Sequence, residues 1–230
     1  MFAARNMMLA RGPLGPTFDA VGAGNNLNNQ SLSPRSTSWL DTATPGSFIV
    51  AAVSAYQIGG LGIASIAATY DPTGANLAMT LLGSINPNNS TYGKLALFGL
   101  PSAPGGSKTI SVTGTASSGA VTALTGDSAS YAGVTSVGAV TTGFGGSNTA
   151  SVSATGVPNG IVVAAFGANQ TANGVAISAF NRTQRYLYDS IAGTDTPLIL
   201  GDTAATGPLS FTANLSGPSS YWSGIAVVLT

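Results

Sequence analysis

Short runs of β-branched, aromatic and small residues recur from residue 36 onward, about every 8 to 15 residues, each bounded by Gly, Pro, Asn or Asp. Residues 108–113 and 209–214 alternate apolar with polar side chains, as half-buried antiparallel strands do. Residues 161–166 and 225–229 are continuously apolar, which is typical of central strands covered on both faces. No window has the period of an amphipathic helix. The sequence therefore predicts an all-β fold, an antiparallel two-sheet sandwich of jelly-roll type.

The N-terminal segment differs in composition from the rest of the chain. Residues 1–35 are rich in Asn, Pro and Gly around a short apolar start, which predicts an extended N-terminal arm. Residues 36–230 are then expected to form a single β-sandwich domain, a size within the range of all-β domains. An apolar arm that carries arginines can dock on a neighbouring subunit. The residues expected to make this contact are Phe2, Arg5, Met7, Met8 and Arg11.

The residue types that the chain lacks narrow its chemistry. It contains no His, Cys or Glu. General acid/base and nucleophilic catalysis depend mainly on these side chains, so Ser-His-Asp and Cys-His sites are excluded. Metal sites built on Cys and His are excluded as well, which leaves oxygen ligands for a hard cation. We therefore expect a protein that is not an enzyme, with no catalytic residues, no cofactor and no metal.

Charge is sparse and balanced, with seven basic and seven acidic residues and no basic stripe. The electrostatic footprint of a nucleic-acid-binding protein is absent, so no nucleic-acid partner is expected. Residues 42–70 carry no charge, but Pro and Gly divide their apolar stretches into short runs. Two buried strands joined by a Gly turn explain this segment better than a membrane span.

Aspartates form two patterns that could carry chemistry. Asp-Thr-Ala occurs at 41–43 and at 202–204, close to the Asp-Thr-Gly of aspartic proteases. Because both glycines are replaced, turns in which Asp bonds its own backbone are the favoured explanation. Asp189, Asp195 and Asp202 could offer oxygen ligands to calcium, but their spacing differs from an EF-hand loop and separate Asp turns are favoured.

One segment combines Arg with Tyr, the residues that often dominate binding surfaces. Such side chains could contact a partner protein or stack on a sugar. The alternative is an edge strand whose tyrosines cover the sandwich and whose arginines are solvated, with the last two aromatics in the core or at its rim. The candidate contact residues are Arg182, Arg185, Tyr186, Tyr188, Tyr221 and Trp222.

The order of several segments resembles a β-sandwich module of virion proteins from tailed phages, especially minor tail proteins of phages that infect actinobacteria. The similar segments lie within residues 36–230 and include FIVAAVSAY, SKTISVTGT, SYAGV and the closing YWSGIAVVLT. The opening MFAARNMMLA is also similar to the start of such proteins. Where the module usually has two glycines after its Tyr, this chain has Asp71-Pro72.

This resemblance implies a structural virion component, a minor tail or tail-tip protein that works through subunit contacts. Its expected partners are further copies of itself and other tail proteins, with assembly in the cytoplasm of the bacterial host. Two alternatives stay open: a capsid decoration protein, and an adhesion module that binds carbohydrate on the host envelope. The resemblance brings no catalytic residues.

Overall fold

The computed structural model describes residues 15–27, 32–57, 59–87, 92–169, 175–189, 196–216 and 221–230. These residues form eighteen strands and no helix. The strands are β1 (Thr17–Val21), β2 (Asn25–Leu27), β3 (Arg35–Asp41), β4 (Phe48–Tyr56), β5 (Ile63–Tyr70), β6 (Leu77–Ala78), β7 (Thr80–Ile85), β8 (Gly93–Leu100), β9 (Lys108–Ala116), β10 (Ala123–Ala132), β11 (Val137–Gly145), β12 (Thr149–Gly156), β13 (Ile161–Asn169), β14 (Ile177–Ser178), β15 (Thr183–Tyr188), β16 (Leu198–Ala204), β17 (Gly207–Leu215) and β18 (Tyr221–Leu229). The described chain has no helix long and apolar enough to cross a bilayer.

The strands form four antiparallel sheets that stack as four layers. Sheet 1 has the order β3-β9-β5-β6, and sheet 2 has the order β1-β10-β4-β8-β7 with β2 also beside β10. Sheet 3 has the order β11-β18-β13-β16-β15, and sheet 4 the order β12-β17-β14. Sheets 1 and 2 form an N-terminal sandwich, and sheets 3 and 4 form a C-terminal sandwich. The predicted all-β sandwich architecture is confirmed, but the described residues form two sandwiches where one was predicted.

Three hydrophobic cores separate the four layers. Strand β4 shows how one segment serves two of them. Ile49, Ala51 and Val53 face the core between sheets 1 and 2. Phe48 and Val50, on the opposite side of the strand, face the core between sheets 2 and 3. Strands β13 and β18 of sheet 3 are buried on both faces, as predicted for residues 161–166 and 225–229.

Part of the predicted arm of residues 1–35 belongs to the N-terminal sandwich. Strands β1 and β2 both pair with β10 and so belong to sheet 2. Phe18 packs edge-to-face on Tyr131 with ring centroids 6.1 Å apart. This aromatic contact and the ladder to β10 hold residues 17–27 on the sandwich, which corrects the prediction for that part. The predicted docking residues Phe2, Arg5, Met7, Met8 and Arg11 lie outside the described residues.

The two sandwiches repeat one strand plan. The order β1-β10-β4-β8-β7 of sheet 2 recurs as β11-β18-β13-β16-β15 in sheet 3, and β3-β9-β5 recurs as β12-β17-β14. The irregularities recur too. A register shift lies between Phe18 and Val21 in β1, and another between Val137 and Val140 in β11.

Edge strands β7 and β15 share a further irregularity. In β7 the pairing with β8 skips Leu82, and in β15 the pairing with β16 skips Arg185. The sequences FIVAAVSAYQ at 48–57 and IVVAAFGANQ at 161–170 are also alike. Bulges are specific features of a strand pair rather than defects, so their recurrence at matching positions marks an internal repeat.

The repeats face each other through sheets 2 and 3. Strand β7 lies over β11, β8 over β18 and β13, and β10 over β16, so the two sheets stack with opposite strand order. A pseudo-twofold axis through β4 and β13 relates the two halves. The equivalent residues Ser54 and Gly167 meet there, because a Cβ on Gly167 would lie 2.6 Å from Ser54 Oγ. The linker between the repeats, residues 133–136, spans one end of the stack.

Candidate interaction site

The most polar contact between the two sandwiches centres on Arg185. The bulge at this residue turns its side chain toward sheet 2 instead of following the alternation of β15. Its Nε donates to Asp202 Oδ2 at 2.8 Å, and its Nη2 donates to Asp202 Oδ1 at 3.1 Å. The guanidinium carbon lies 3.5 Å from the centroid of the Phe18 ring. Bidentate pairing and stacking on an aromatic ring together fix the orientation of the arginine.

Asp202 also binds the N-terminal sandwich. The Tyr131 hydroxyl donates to Asp202 Oδ2 at 2.8 Å, and Asp202 is only 4% exposed. Burial raises the pKa of Tyr131 well above its usual range, and the Asp202 carboxylate raises it further. The cluster of Arg185, Asp202, Tyr131 and Phe18, here called the junction cluster, therefore joins β15 and β16 to β10 and β1.

The junction cluster has an apolar counterpart in the other repeat. Leu82 occupies the bulge position equivalent to Arg185, and Gly99 pairs with β4 where Asp202 pairs with β13. A Cβ on Gly99 would lie 3.1 Å from a Leu82 methyl carbon. One edge of the pseudo-symmetric junction is thus held by an ion pair, and the other by aliphatic packing.

Two further candidate contact residues also bind within the chain. The half-buried Tyr186 ring packs on the backbone of Gly24, where a Cβ would lie 2.3 Å from the ring. Burial raises the pKa of Tyr186, and the nearby Asp127 raises it further. The Tyr188 hydroxyl accepts a hydrogen bond from Asn26 Nδ2 at 2.7 Å. Tyr186 and Tyr188 therefore cover the sandwich as in the edge-strand alternative, but Arg185 is paired with Asp202 and not solvated.

The other candidate contact residues lie apart from this junction. Arg182 is exposed, with Nη2 3.4 Å from the Ser210 carbonyl oxygen, and Tyr221 is half-buried at the start of β18. Trp222 is buried in the core between sheets 3 and 4, where it contacts Phe166 edge-to-face. Trp222 and Tyr186 face opposite sides of sheet 3, so the structure does not bring the predicted aromatics into one stacking platform.

The aspartates predicted as turn formers or metal ligands have different surroundings. Ala43 N donates to Asp41 Oδ1 at 3.0 Å, which confirms the first Asp turn. The second prediction was wrong, because Asp202 lies inside β16 and its carboxylate binds Arg185 and Tyr131. Asp189 is exposed, and Asp195 lies outside the described residues. Within the described ranges, no group of three or more acidic residues could hold a metal ion.

A carboxylate and hydroxyl network along β10 was not anticipated from the sequence. Trp39 Nε1 donates to Ser128 Oγ at 2.9 Å, and Ser128 Oγ donates to Asp41 Oδ2 at 2.6 Å. Asp19 accepts hydrogen bonds from Thr44, Ser47 and Ser130. Burial acts to raise the pKa of Asp19, but these hydrogen bonds outweigh it and the pKa lies below its usual value. The network ties β1 and β3 to β10.

Asp127 is a carboxyl group on β10. It is fully buried, and among the described residues no donor reaches either carboxylate oxygen with hydrogen-bond geometry. Burial raises the pKa of Asp127 to about 8, although the backbone N–H groups of Ser128 and Gly24 oppose the shift. Asp127 therefore favours its protonated form near neutral pH.

Comparison with known proteins adds no relative. No family model matches the chain, and neither the curated proteins nor the solved structures show a similar chain.

Proposed function

We propose that this protein is a structural, non-enzymatic component of a tailed-phage virion, a minor tail or tail-tip protein that works through subunit contacts. The proposal rests on one observation: Asp, Arg and Tyr side chains that could carry chemistry bind other groups of the same chain. In the described residues, Asp202 accepts hydrogen bonds from both Arg185 and Tyr131 at the junction. Asp19 and Asp41 bind hydroxyl groups that hold strands together. These contacts stabilise a rigid body.

The pairing of the strands also supports the proposed virion role. In the N-terminal sandwich, β1 pairs with β10, β3 with β9 and β4 with β8, so the first half of each repeat folds back on the second half. The C-terminal sandwich repeats these pairs with β11 and β18, β12 and β17, and β13 and β16. We infer a jelly roll in each half, an architecture common in viral capsid and lectin domains. This agrees with the resemblance of residues 36–230 to virion β-sandwich proteins.

The surface composition suits packing against other subunits. No charged residue occurs between Asp127 and Arg182, a segment that includes β11, β12 and β13. Uncharged Ser, Thr and Gly surfaces cost less to desolvate against a neighbouring subunit than charged surfaces do. The proposed partners are copies of this chain and other tail proteins, assembled in the cytoplasm of the bacterial host.

Labelling of phage particles tests this proposal. Gold-conjugated antibody raised against the purified protein should decorate the tails of particles that carry its gene, and antibody absorbed with the protein is the control. Label on heads would instead support a capsid decoration protein. Unlabelled particles, with the protein detected in the infected-cell lysate, would contradict a virion role.

The adhesion alternative has a separate test. Arg182 is exposed and Tyr221 is half-buried, so these side chains could contact a host glycan. Binding of the protein to purified host cell wall should be abolished by Arg182→Ala combined with Tyr221→Ala if the chain is an adhesin. If the protein is purely structural, the wild-type protein and the double variant should both remain in the unbound fraction.

A further inference from the structure

The pseudo-twofold axis gives the molecule two equivalent edges with different chemistry. The polar edge consists of β1 and β15, and it carries Asp19, Arg182 and Arg185. The apolar edge consists of β7 and β11, which lie over each other at the opposite side of sheets 2 and 3. Neither Thr80–Ile85 nor Val137–Gly145 contains a charged residue.

Large hydrophobic side chains are exposed on the apolar edge. Leu81 is 50% exposed on β7, while Val137 and Phe144 are 37% and 49% exposed on β11. A groove of about 360 Å³ opens at the Val137 end of this edge, lined by Phe48, Leu82 and Val137 among others. Exposed strand edges usually carry charged residues or Pro that prevent pairing with another chain. The apolar edge lacks this protection.

In the described residues, each of the two strands of the apolar edge has a strand partner on one side only. Strand β7 pairs with β8, and β11 pairs with β18, and in the described residues neither has a second strand partner. Each therefore presents backbone groups on its outer side that another strand can pair with. In the described residues β1 and β15 of the polar edge likewise have one strand partner each, but there Asn26 and Gly24 lie against Tyr188 and Tyr186 of β15.

We propose that the apolar edge of one molecule binds the apolar edge of a second copy of this chain. This inference rests on the subunit-contact role proposed above, and it assigns that contact to one surface of the molecule. In a twofold contact a patch meets the same patch on the second copy, so the patch must be complementary to itself. An uncharged, apolar patch meets this condition without any pairing of opposite charges, and the apolar edge has no charged residue on either strand.

The dimensions of the edge suit a reversible dimer. Strands of six and nine residues at about 3.3 Å per residue span about 20 to 30 Å, and two layers about 10 Å apart give a width of about 20 Å with side chains. The contact would then bury about 500 Å² per molecule, or about 1,000 Å² in total, at the low end for specific interfaces. We therefore expect a dimer in equilibrium with monomer, reinforced when many copies assemble.

Sedimentation equilibrium of the full chain and of lysine variants tests the proposal. The wild-type chain should dimerise, and Leu81→Lys, Val137→Lys or Phe144→Lys should each raise the dissociation constant at least about tenfold. Leu61→Lys and Leu40→Lys are matched controls, because Leu61 and Leu40 are 54% and 52% exposed but lie away from the apolar edge. These controls should dimerise like wild type. Thermal unfolding of each variant verifies that it is folded.

Three results would overturn the proposal. The first is a wild-type chain that remains monomeric at the highest accessible concentration. The second is a dimer weakened equally by the control substitutions. The third is a dimer lost on deletion of residues 1–14 but retained in the lysine variants, which would assign the contact to the N-terminal segment. None of these bears on particle labelling, so failure of the dimer surface is distinguishable from failure of the virion role.

Discussion

Arg185 and Asp202 form a two-point ion pair, at 2.8 and 3.1 Å, in the positions that Leu82 and Gly99 hold in the other repeat. The same backbone plan therefore carries an ion pair at one edge of the junction and aliphatic packing at the other. A buried pair of this kind contributes more to specificity than to net stability in several proteins. Here it distinguishes the two edges, one of which is polar and the other apolar.

Removal of one partner from this pair should destabilise the fold strongly. Arg185→Leu leaves the Asp202 carboxylate buried against Tyr131 without its cation, at an expected cost of about 3 kcal/mol in the free energy of unfolding. Arg185→Leu combined with Asp202→Gly recreates the pairing of Leu82 with Gly99 and should recover much of that loss. Urea denaturation of both variants measures the effect. A single variant within about 0.5 kcal/mol of wild type would show that the pair is not coupled to folding.

The buried Asp127 carboxyl should make stability depend on pH. Its pKa is about 8 in the folded chain and about 4 when unfolded, so the folded state binds the proton more tightly. Between about pH 4 and pH 8 the unfolded state has released the proton while the folded state retains it, so stability falls by up to about 1.4 kcal/mol per pH unit. Above pH 8 this loss is complete.

Asp127→Asn removes this contribution and leaves the other carboxyl groups unchanged. The variant should gain stability relative to wild type as pH rises from 5 to 8, as measured by urea denaturation at several pH values. Asp41, whose pKa is also raised by burial, remains in both proteins and cancels in the difference. Parallel pH profiles for the two proteins would rule out Asp127 as the titrating group.

Gly24 should be intolerant of any side chain, for two reasons that a matched control separates. Its φ of 59° lies in the left-handed region, and a Cβ would lie 2.3 Å from the Tyr186 ring. Gly46 has a φ of 86°, but a Cβ there would meet nothing within 4 Å. Gly46→Ala should therefore cost about 1 kcal/mol, and Gly24→Ala at least about 2 kcal/mol more. Equal losses in thermal unfolding would mean that the Tyr186 contact is unimportant.

The two repeats should depend on each other for solubility. Residues 1–136 and 137–230 expressed separately would each expose one side of the core that includes Phe48 and Val50 on β4 and Ile225 and Val227 on β18. Each fragment alone should bind a hydrophobic dye and aggregate, and the two expressed together should form a one-to-one complex. Two soluble fragments that do not associate would indicate that sheets 2 and 3 are independent surfaces.

The sequence predicted the fold class because strand signals are local. The alternation in residues 108–113 and the apolar runs in residues 161–166 and 225–229 correspond to β9, β13 and β18. The doubling of the sandwich was not visible, because an apolar run shows that both faces are covered but not what covers them. The likeness between residues 48–57 and 161–170 is short and consists largely of Ala and Val, which many buried strands contain.

Other parts of the structure depend on contacts that sequence patterns do not encode. Strands β1 and β2 are short and flanked by Gly and Asn, so their pairing with β10 was missed. In a regular strand, successive side chains point to opposite faces, and the bulge at Arg185 breaks this alternation. The side chain of Arg185 therefore points toward sheet 2, where the sequence pattern alone would place it on the surface. Asp71, where the resembling module has glycine, takes a φ of 50°, and its carboxylate accepts hydrogen bonds from Ala75 N and Lys108 Nζ. These local bonds stabilise a conformation that glycine would adopt freely.

A reconstruction of the phage particle by electron cryomicroscopy would show directly whether the chain is a tail protein. We predict tail density that fits the four stacked sheets, with neighbouring copies meeting along β7 and β11. Complete tail density in which no such four-layer body can be placed, from particles whose genome encodes this chain, would contradict it.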